Sequence, residues 1–225
     1  MTKGKLYLVA TPIGNLEDIT FRAVKTLRVV DLILAEDTRQ TGNLLKHFGI
    51  KKPQVSFFEG NEERKTAEIL EKLNLGQNIA LVTDAGTPLI SDPGFKLVRL
   101  AIGEGFEVDS IPGPSAALTA LTLSGKPCDK FLFLGYLPKR KGRQTALLKS
   151  LTTILHDIVV TMVIFESPHR LIKTLDNLKN TFGDIDIVIC RELTKIHQEI
   201  RREKISQSLE HFTKVKPKGE LTIVF

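Results

Sequence analysis

Residues 78–94 read NIALVTDAGTPLISDPG, an apolar run that stops abruptly and gives way to aspartates, glycines, prolines, threonines and a serine. A short apolar run closed by turn formers is the signature of a strand buried on both faces in a parallel sheet. An ordinary tight turn needs only one or two residues of that kind. Nine within the twelve residues 83–94, two of them carboxylates, point to a loop shaped around a ligand.

The same unit recurs on either side. KLYLVAT (5–11), DLILAED (31–37), PQVSFF (53–58) and FEVDSIPG (106–113) are short apolar runs ending in polar or turn residues. Between them lie helical patterns. ITFRAVKTLRVV has Thr20 as its N-cap, QTGNLLKHFG closes at Gly49, and NEERKTAEILEKLNLG has Asn61 as cap and Gly76 as stop. FKLVRLAIGEG (95–105) is a fourth helix. Strands alternating with helices of this length predict βαβ units around a mainly parallel sheet.

IPGPSAALTALTLSG (111–125) interrupts the alternation, with Pro112 and Pro114 around Gly113 and Ser115 as a helix cap. The expected organisation is therefore two α/β domains, 1–112 and 113–225. The second runs FLFLGYLP, a helix over RQTALLKSLTTIL, the strand IVVTMVIFES, a helix over PHRLIKTLDNLKNTFG and the strand DIDIVICREL. Its end, HQEIRREKISQSLEHF and GELTIVF, reads as strands or a hairpin with an intervening helix, so a mixed sheet is expected. LTIVF resembles a central strand without a tail, and the natural protein is expected to continue beyond Phe225.

Composition excludes several classes. Apolar residues make up 42% of the 225, enough for a sizeable core. No apolar run approaches the ~18–20 residues of a membrane span, so no membrane partner is expected. Cys128 and Cys190 are the only cysteines and lack metal-type spacing, which fits a reducing, cytoplasmic compartment. Residues 1–112 carry 14 Lys and Arg against 15 Asp and Glu, whereas 113–225 carry 18 against 11, so the net charge of +6 comes from the second half. Such asymmetry suits a polyanionic partner.

Three loops after first-half strands form one candidate site: TPIGNLED (11–18) with Pro12 and Gly14, TDAGTPLISDPG (83–94), and IPGPSA (111–116). Ligands of open α/β folds sit outside the carboxyl ends of the strands, and glycines admit close backbone approach. Each loop alone is equally an ordinary βα turn. GxGxxG, GxxxxGK[ST] and HExxH are all absent. Glu36, Asp37, Asp84 and Asp92 are oxygen donors suited to Mg²⁺, but helix capping explains them as well, and no metal is expected. EDTR (36–39) and FESPHR (165–170) repeat the strand-to-helix design with charge at its mouth. RELTK (191–195) ends another strand with Arg191, Glu192 and Lys195. YLPKRKGRQ (136–144) sets Lys139, Arg140, Lys141 and Arg143 beside Tyr136 and, with Arg170, is the candidate nucleic-acid backbone contact, or else a solvated loop.

Taken in this order and spacing, TPIGNLED, EDTR, TDAGTPLISDPG, PGPSA, FESPHR and RELTK resemble the ribosomal RNA small subunit methyltransferase I group of the tetrapyrrole methylase superfamily. The resemblance covers essentially the whole chain. It implies a cleft between the two domains that holds S-adenosylmethionine, a homodimer, and methylation of a cytidine ribose 2′-hydroxyl in 16S rRNA of the small ribosomal subunit. It further implies that Gly86-Thr87-Pro88 stands where the superfamily has Gly-Asp-Pro, with Asp84 the candidate replacement for that carboxylate. Leu89, Ile90, Ser115 and Ala116 would line the cofactor, with Met162 to Glu166, Arg191, Glu192 and Glu220 to Thr222 on its adenosine side. Arg39 and Lys195 are the candidates for positioning RNA phosphate, and Glu192 or Glu166 for assisting the hydroxyl. Methylation of a small tetrapyrrole, a non-catalytic ribosome-binding module and an unrelated phosphate-binding enzyme are the competing readings.

Overall fold

The structure, a computed structural model, describes residues 2–225, for 154–157 the backbone only. Its contacts divide the chain into two compact units, Met1–Ser115 and Ala116–Phe225.

The first unit contains β1 (Lys5–Val9), α1 (Phe21–Val29), β2 (Leu32–Ala35), α2 (Thr38–His47), β3 (Gln54–Ser56), α3 (Glu62–Asn74), β4 (Ile79–Val82), α4 (Phe95–Gly103) and β5 (Glu107–Ile111). The sheet order is β3-β2-β4-β1-β5, all parallel. All four residues of β2 and of β4 are buried, as both-sided cover demands. Alternation then divides the core. Leu6, Leu34, Ile79 and Leu81 pack with Leu73 of α3 and Leu97 of α4. Val9, Ile33, Ala80 and Val82 pack with Leu27 of α1 and Leu45 of α2.

This division follows from handedness. Crossovers from β1 to β2 and β2 to β3 run toward one edge; those from β3 to β4 and β4 to β5 run toward the other. Right-handed crossovers travelling in opposite directions must lie on opposite faces. The reversal falls between β1 and β4, which are neighbours, so their carboxyl ends mark the topological switch point at which sheets of this kind bind ligands.

Thr20 caps α1 as expected, its hydroxyl accepting from the Ala23 amide at 3.1 Å. Gly49 and Gly76 close α2 and α3 in the left-handed region, φ 63° and 87°. Asn61 occupies the N-cap position of α3, but its side chain does not cap the helix. Instead it accepts from the Phe58 amide (2.9 Å) and donates to the Ser56 carbonyl (3.0 Å), tying down the turn before the helix.

The second unit comprises α5 (Ala116–Ser124), β6 (Phe131–Tyr136), α6 (Lys141–Asp157), β7 (Thr161–Glu166), α7 (Leu171–Phe182), β8 (Asp186–Arg191), β9 (Glu199–Lys204), α8 (Ile205–Lys214) and β10 (Leu221–Val224). Its sheet runs β6-β7-β10-β8-β9, with β6 and β7 parallel and the other pairs antiparallel. The mixed sheet is as the polar-apolar C-terminal strands predict. β10 is fully buried in the middle of the sheet. Leu148 of α6, Leu175 of α7 and Phe212 of α8 cover one face with Met162, Ile164, Ile189 and Ile223, while α5 packs across β7 and β10. Among the described residues no helix is long and apolar enough to cross a membrane.

Candidate active site

The loops leaving β1, β4 and β5 are fastened to one another at this switch point. Thr11 and Gly86 exchange both backbone hydrogen bonds, at 2.9 and 3.0 Å, and the Thr11 hydroxyl donates to the Thr83 carbonyl at 3.1 Å. The Thr87 hydroxyl donates to the Pro114 carbonyl at 3.2 Å, joining the β4 loop to the β5 loop. Gly113 lies so close to β1 that a Cβ there would sit 3.0 Å from the Ala10 Cβ. Of the sequence candidates, Pro12, Asp84, Gly86, Thr87 and Pro88 are thus brought into one loop cluster with the stretch before Ser115. Gly14 lies two residues beyond Pro12, at the start of the exposed 14–18 segment.

The β4 loop carries unusual backbone. Gly86 has φ 86°, which glycine tolerates, but Leu89 and Ser91 also adopt positive φ, 73° and 70°. Such non-glycine residues cost on the order of 1–3 kcal/mol each and persist where the surroundings over-determine them. The loop ends on Gly94, whose amide, with that of Lys96, donates to Glu62 Oε1 at 3.2 Å each. Glu62 of α3 therefore caps α4 from another helix, since Gly94 brings no side chain to do so.

Carboxylates crowd the same end of the sheet. The Thr83 hydroxyl lies 2.9 Å from Glu36 Oε2 and 2.6 Å from Asp92 Oδ2. Asp84 accepts from the Asp37 amide at 3.0 Å. Desolvation, reinforced by the nearby Glu36 and Asp37 charges, holds the Asp84 carboxyl above its ordinary value despite that hydrogen bond. Asp37 behaves oppositely. It receives the Arg39 guanidinium (Nη2 at 2.6 Å) and the Arg39 amide (2.8 Å), which lower it to about 2. Arg39 is consequently paired within its own helix start. Among the described residues no group of three or more His, Cys, Asp or Glu is placed to hold a metal.

In the second unit RELTK forms a tight charged cluster. Glu192, at φ 51°, accepts through Oε1 from Lys195 Nζ and from the Glu220 amide, both at 2.9 Å. Lys195 Nζ also reaches Glu220 Oε2 at 2.8 Å. Burial works to lower the Lys195 ammonium, but its hydrogen bonds to Glu220 and Glu192 outweigh that and hold it above the ordinary lysine value. Burial likewise opposes ionisation of Glu192, yet Lys195 and the Glu220 amide keep its carboxyl below the usual range.

Within FESPHR only Glu166 is buried, and His169 is exposed. Glu166 is 1% exposed, accepting from the Ser167 amide (2.7 Å) and the Thr174 hydroxyl (2.5 Å), with Arg170 Nε 3.4 Å away. Thr174 accepts from Gln144 Nε2 (3.2 Å), whose Oε1 accepts from Asn177 Nδ2 (2.7 Å). Arg170 turns to the Leu137 carbonyl at 2.7 Å. Met162 is 1% exposed, with its side chain in the core and its backbone paired to Phe225. Lys139, Arg140, Lys141 and Arg143 are all exposed on the loop and first turn of α6. Sequence reasoning did not find Glu62, Thr83, Gln144, Thr174 or Asn177. Each acts through a partner distant in the chain, and no local pattern marks it.

Similarity to known proteins agrees with this architecture. The chain matches the tetrapyrrole (corrin/porphyrin) methylases over residues 5–208. It is 53% identical over 221 residues to the ribosomal RNA small subunit methyltransferase I of Thermotoga maritima, covering 98% of this chain and 97% of that protein. It is 48% identical to the protein of the same name from Halalkalibacterium halodurans, over 99% of this chain and 75% of that one. Among solved structures, a cobalt precorrin-4 methyltransferase superposes with a TM-score of 0.73 at 18% identity, over 98% of this chain and 94% of that one.

Proposed function

The chain belongs to the tetrapyrrole methylase family and, within it, to the ribosomal RNA small subunit methyltransferase I group, and from that premise we propose that it methylates a cytidine ribose 2′-hydroxyl of 16S rRNA with S-adenosylmethionine as donor. One observation carries the choice of RNA over a tetrapyrrole. Identity is 53% over almost the whole length to an rRNA methyltransferase but 18% to the precorrin enzyme that shares the fold. The basic excess of residues 113–225 supports the same choice.

The donor set of the first unit fits S-adenosylmethionine. Asp84 offers a carboxylate to the ammonium of its methionine part. Glycine at position 86, with φ 86°, allows the turn that carries this loop's backbone across the end of the sheet. Thr87, Pro88, Leu89 and Ile90 continue that wall, and Ser115 and Ala116 open α5 with backbone amides. Bound there, the cofactor supplies an electrophilic methyl group on a sulfonium.

What remains for the protein is to hold the ribose and manage one proton. Lys195, kept protonated by Glu192 and Glu220, acts as a cation toward RNA phosphate or the developing alkoxide, with Arg39 as a second cation. Glu192, its carboxyl held below the usual range by Lys195 and the Glu220 amide, is the group we assign to accept the hydroxyl proton. We assign Glu166, enclosed and with both oxygens engaged, to holding the β6–α6 loop. The working form is proposed to be a cytoplasmic homodimer.

The test is transfer of labelled methyl to small ribosomal subunits from cells lacking the protein, with nuclease mapping of the label. A single 2′-O-methylated cytidine in 16S rRNA is expected, and label on a tetrapyrrole acceptor alone would overturn the reading. Single-turnover rates of Lys195→Ala, Glu192→Ala and Arg39→Ala should fall at least tenfold. Smaller losses at all three would remove the residue roles while leaving the reaction class.

A further inference from the structure

The strand β6 does something its sequence alternation does not call for. It pairs with β7 as Phe131↔Thr161, Leu132↔Met162 and Phe133↔Val163, and then as Tyr136↔Phe165. Three steps along β6 thus match two along β7, which is a bulge. Gly135 within it has φ 61°, the conformation a glycine bulge uses. Leu132 and Leu134 point into the core beneath α6, α7 and α8, and strict alternation would send Tyr136 after them. The extra residue reverses the parity. Leu137 enters the core at 1% exposure and Tyr136 emerges on the opposite face, 53% exposed.

On that face Tyr136 meets company. Its ring stands edge-on to Phe165, centroids 5.8 Å apart, and Phe165 meets Phe133 at 4.9 Å. The three rings are linked edge to face, with Phe133 and Phe165 half-buried and Tyr136 exposed, and Phe131, 41% exposed, alternates onto the same face of β6 as Phe133. Immediately after Tyr136 come the exposed cations Lys139, Arg140, Lys141 and Arg143.

The segment is also tied down at both ends. Arg170 donates to the carbonyls of Leu137 (2.7 Å) and Pro138 (3.5 Å) and lies against the buried Glu166. At the far end the Gln144 amide donates to the Arg140 carbonyl at 3.0 Å, and the Gln144 side chain joins the Thr174–Glu166 network. Both ends of the 137–144 stretch are tied to α7 or the residue before it, so the backbone that carries the cations starts and ends at fixed points beside the ring.

We propose that Tyr136 is a stacking platform for an unpaired base of the RNA substrate, with Lys139 and Arg140 on the adjoining backbone phosphates. The proposal rests on the rRNA-methylating reading and names how that substrate is gripped. Aromatic faces flanked by cations are how proteins hold single strands, because every base has a π-face and every linkage a charge. A duplex hides those faces, so the surface selects unstacked nucleotides. The bulge is what turns the ring outward; without it the tyrosine hydroxyl would be driven into the leucine core.

The chain contains no tryptophan, so Tyr136→Trp introduces a single indole reporter at the site. The expected result is quenching of its emission by single-stranded RNA from the small subunit, and much weaker quenching by a duplex of the same sequence. Tyr136→Ala should weaken single-strand affinity roughly tenfold or more and raise KM for the RNA while kcat changes little. Tyr136→Phe should restore both, since stacking needs the ring and not the hydroxyl. S-adenosylmethionine binding by calorimetry should be the same in all variants, which also certifies their folding. RNA binding that survives Tyr136→Ala within twofold overturns the proposal alone. Failure of the unaltered chain to bind RNA overturns it together with the reading beneath it. A Tyr136→Ala variant that loses self-association but keeps its RNA affinity assigns the face to a second copy, and overturns it too.

Discussion

At the scale of single residues, Asp84 sets stability against function. Burial and the neighbouring Glu36 and Asp37 raise its carboxyl above 3.8 in the folded chain. An acid so raised holds its proton more tightly folded than unfolded, so the folded state gains at low pH. That gain is lost as pH rises through the folded value. At neutral pH the ionised Asp84 is therefore unfavourable for folding. Asp84→Asn should leave Tm at pH 7 equal or higher by about 1 °C, because the amide oxygen still accepts from the Asp37 amide. The difference should vanish near pH 3.5, while cofactor affinity at pH 7 falls at least tenfold. A Tm drop of several degrees at pH 7 would contradict the argument.

Gly219 gives a second prediction at this scale. Its φ is 83°, and a Cβ there would run into the Glu192 carboxylate. Gly219→Ala must displace that carboxylate from Lys195, and the Lys195 ammonium, now raised by Glu192 and Glu220, should titrate at lower pH. Lysine side-chain NMR reads this directly. The sign agrees with linkage: a raised lysine contributes stability below its unfolded value near 10.5, lost as pH rises through the folded value. An unmoved titration would separate Glu192 from the state of Lys195.

At the scale of elements, what could be read from sequence was what is decided locally. The turn-former clusters after β1, β4 and β5, the cap at Thr20 and the stops at Gly49 and Gly76 each depend on neighbours within a few positions. Glu62 does not. It reads as one more acid in the first turn of α3, yet it caps α4 across 32 positions of chain. Glu62→Ala should cost about 1–2 kcal/mol in urea unfolding, the usual loss of a cap plus a bond to charge. Glu62→Gln should recover much of it. Thr174→Val should cost about 2 kcal/mol, since it strips the buried Glu166 Oε2 of its donor and Gln144 of its acceptor. Asn61 fails as a cap for the complementary reason: the sequence marks its position, while the turn from Ser56 to Phe58 competes for the same amide group. Tyr136 was placed beside the cations by proximity in sequence, but its facing was hidden. Glycine inside a strand pattern is the only local hint of a bulge.

At the scale of the whole molecule, charge is divided as sharply as the cores. Residues 1–112 are nearly neutral and the excess lies in 113–225, where Lys139, Arg140, Lys141 and Arg143 stand exposed on one loop and helix start. If those four each neutralise one phosphate of a single strand, counterion release sets a slope of log affinity against log salt of about −3. Removing two, as Lys139→Ala with Arg140→Ala, should flatten it to roughly −1.4. Affinity for S-adenosylmethionine, which has no such run of phosphates, should scarcely change over the same salt range. Because the cations sit on a segment anchored by Arg170 and Gln144, Thr174→Val should act differently from their removal. It should weaken RNA binding at every salt concentration while leaving the slope near −3, since the charges remain and only the anchoring of their segment is lost. A slope already near zero in the unaltered chain would mean that RNA is gripped by contacts other than this basic loop.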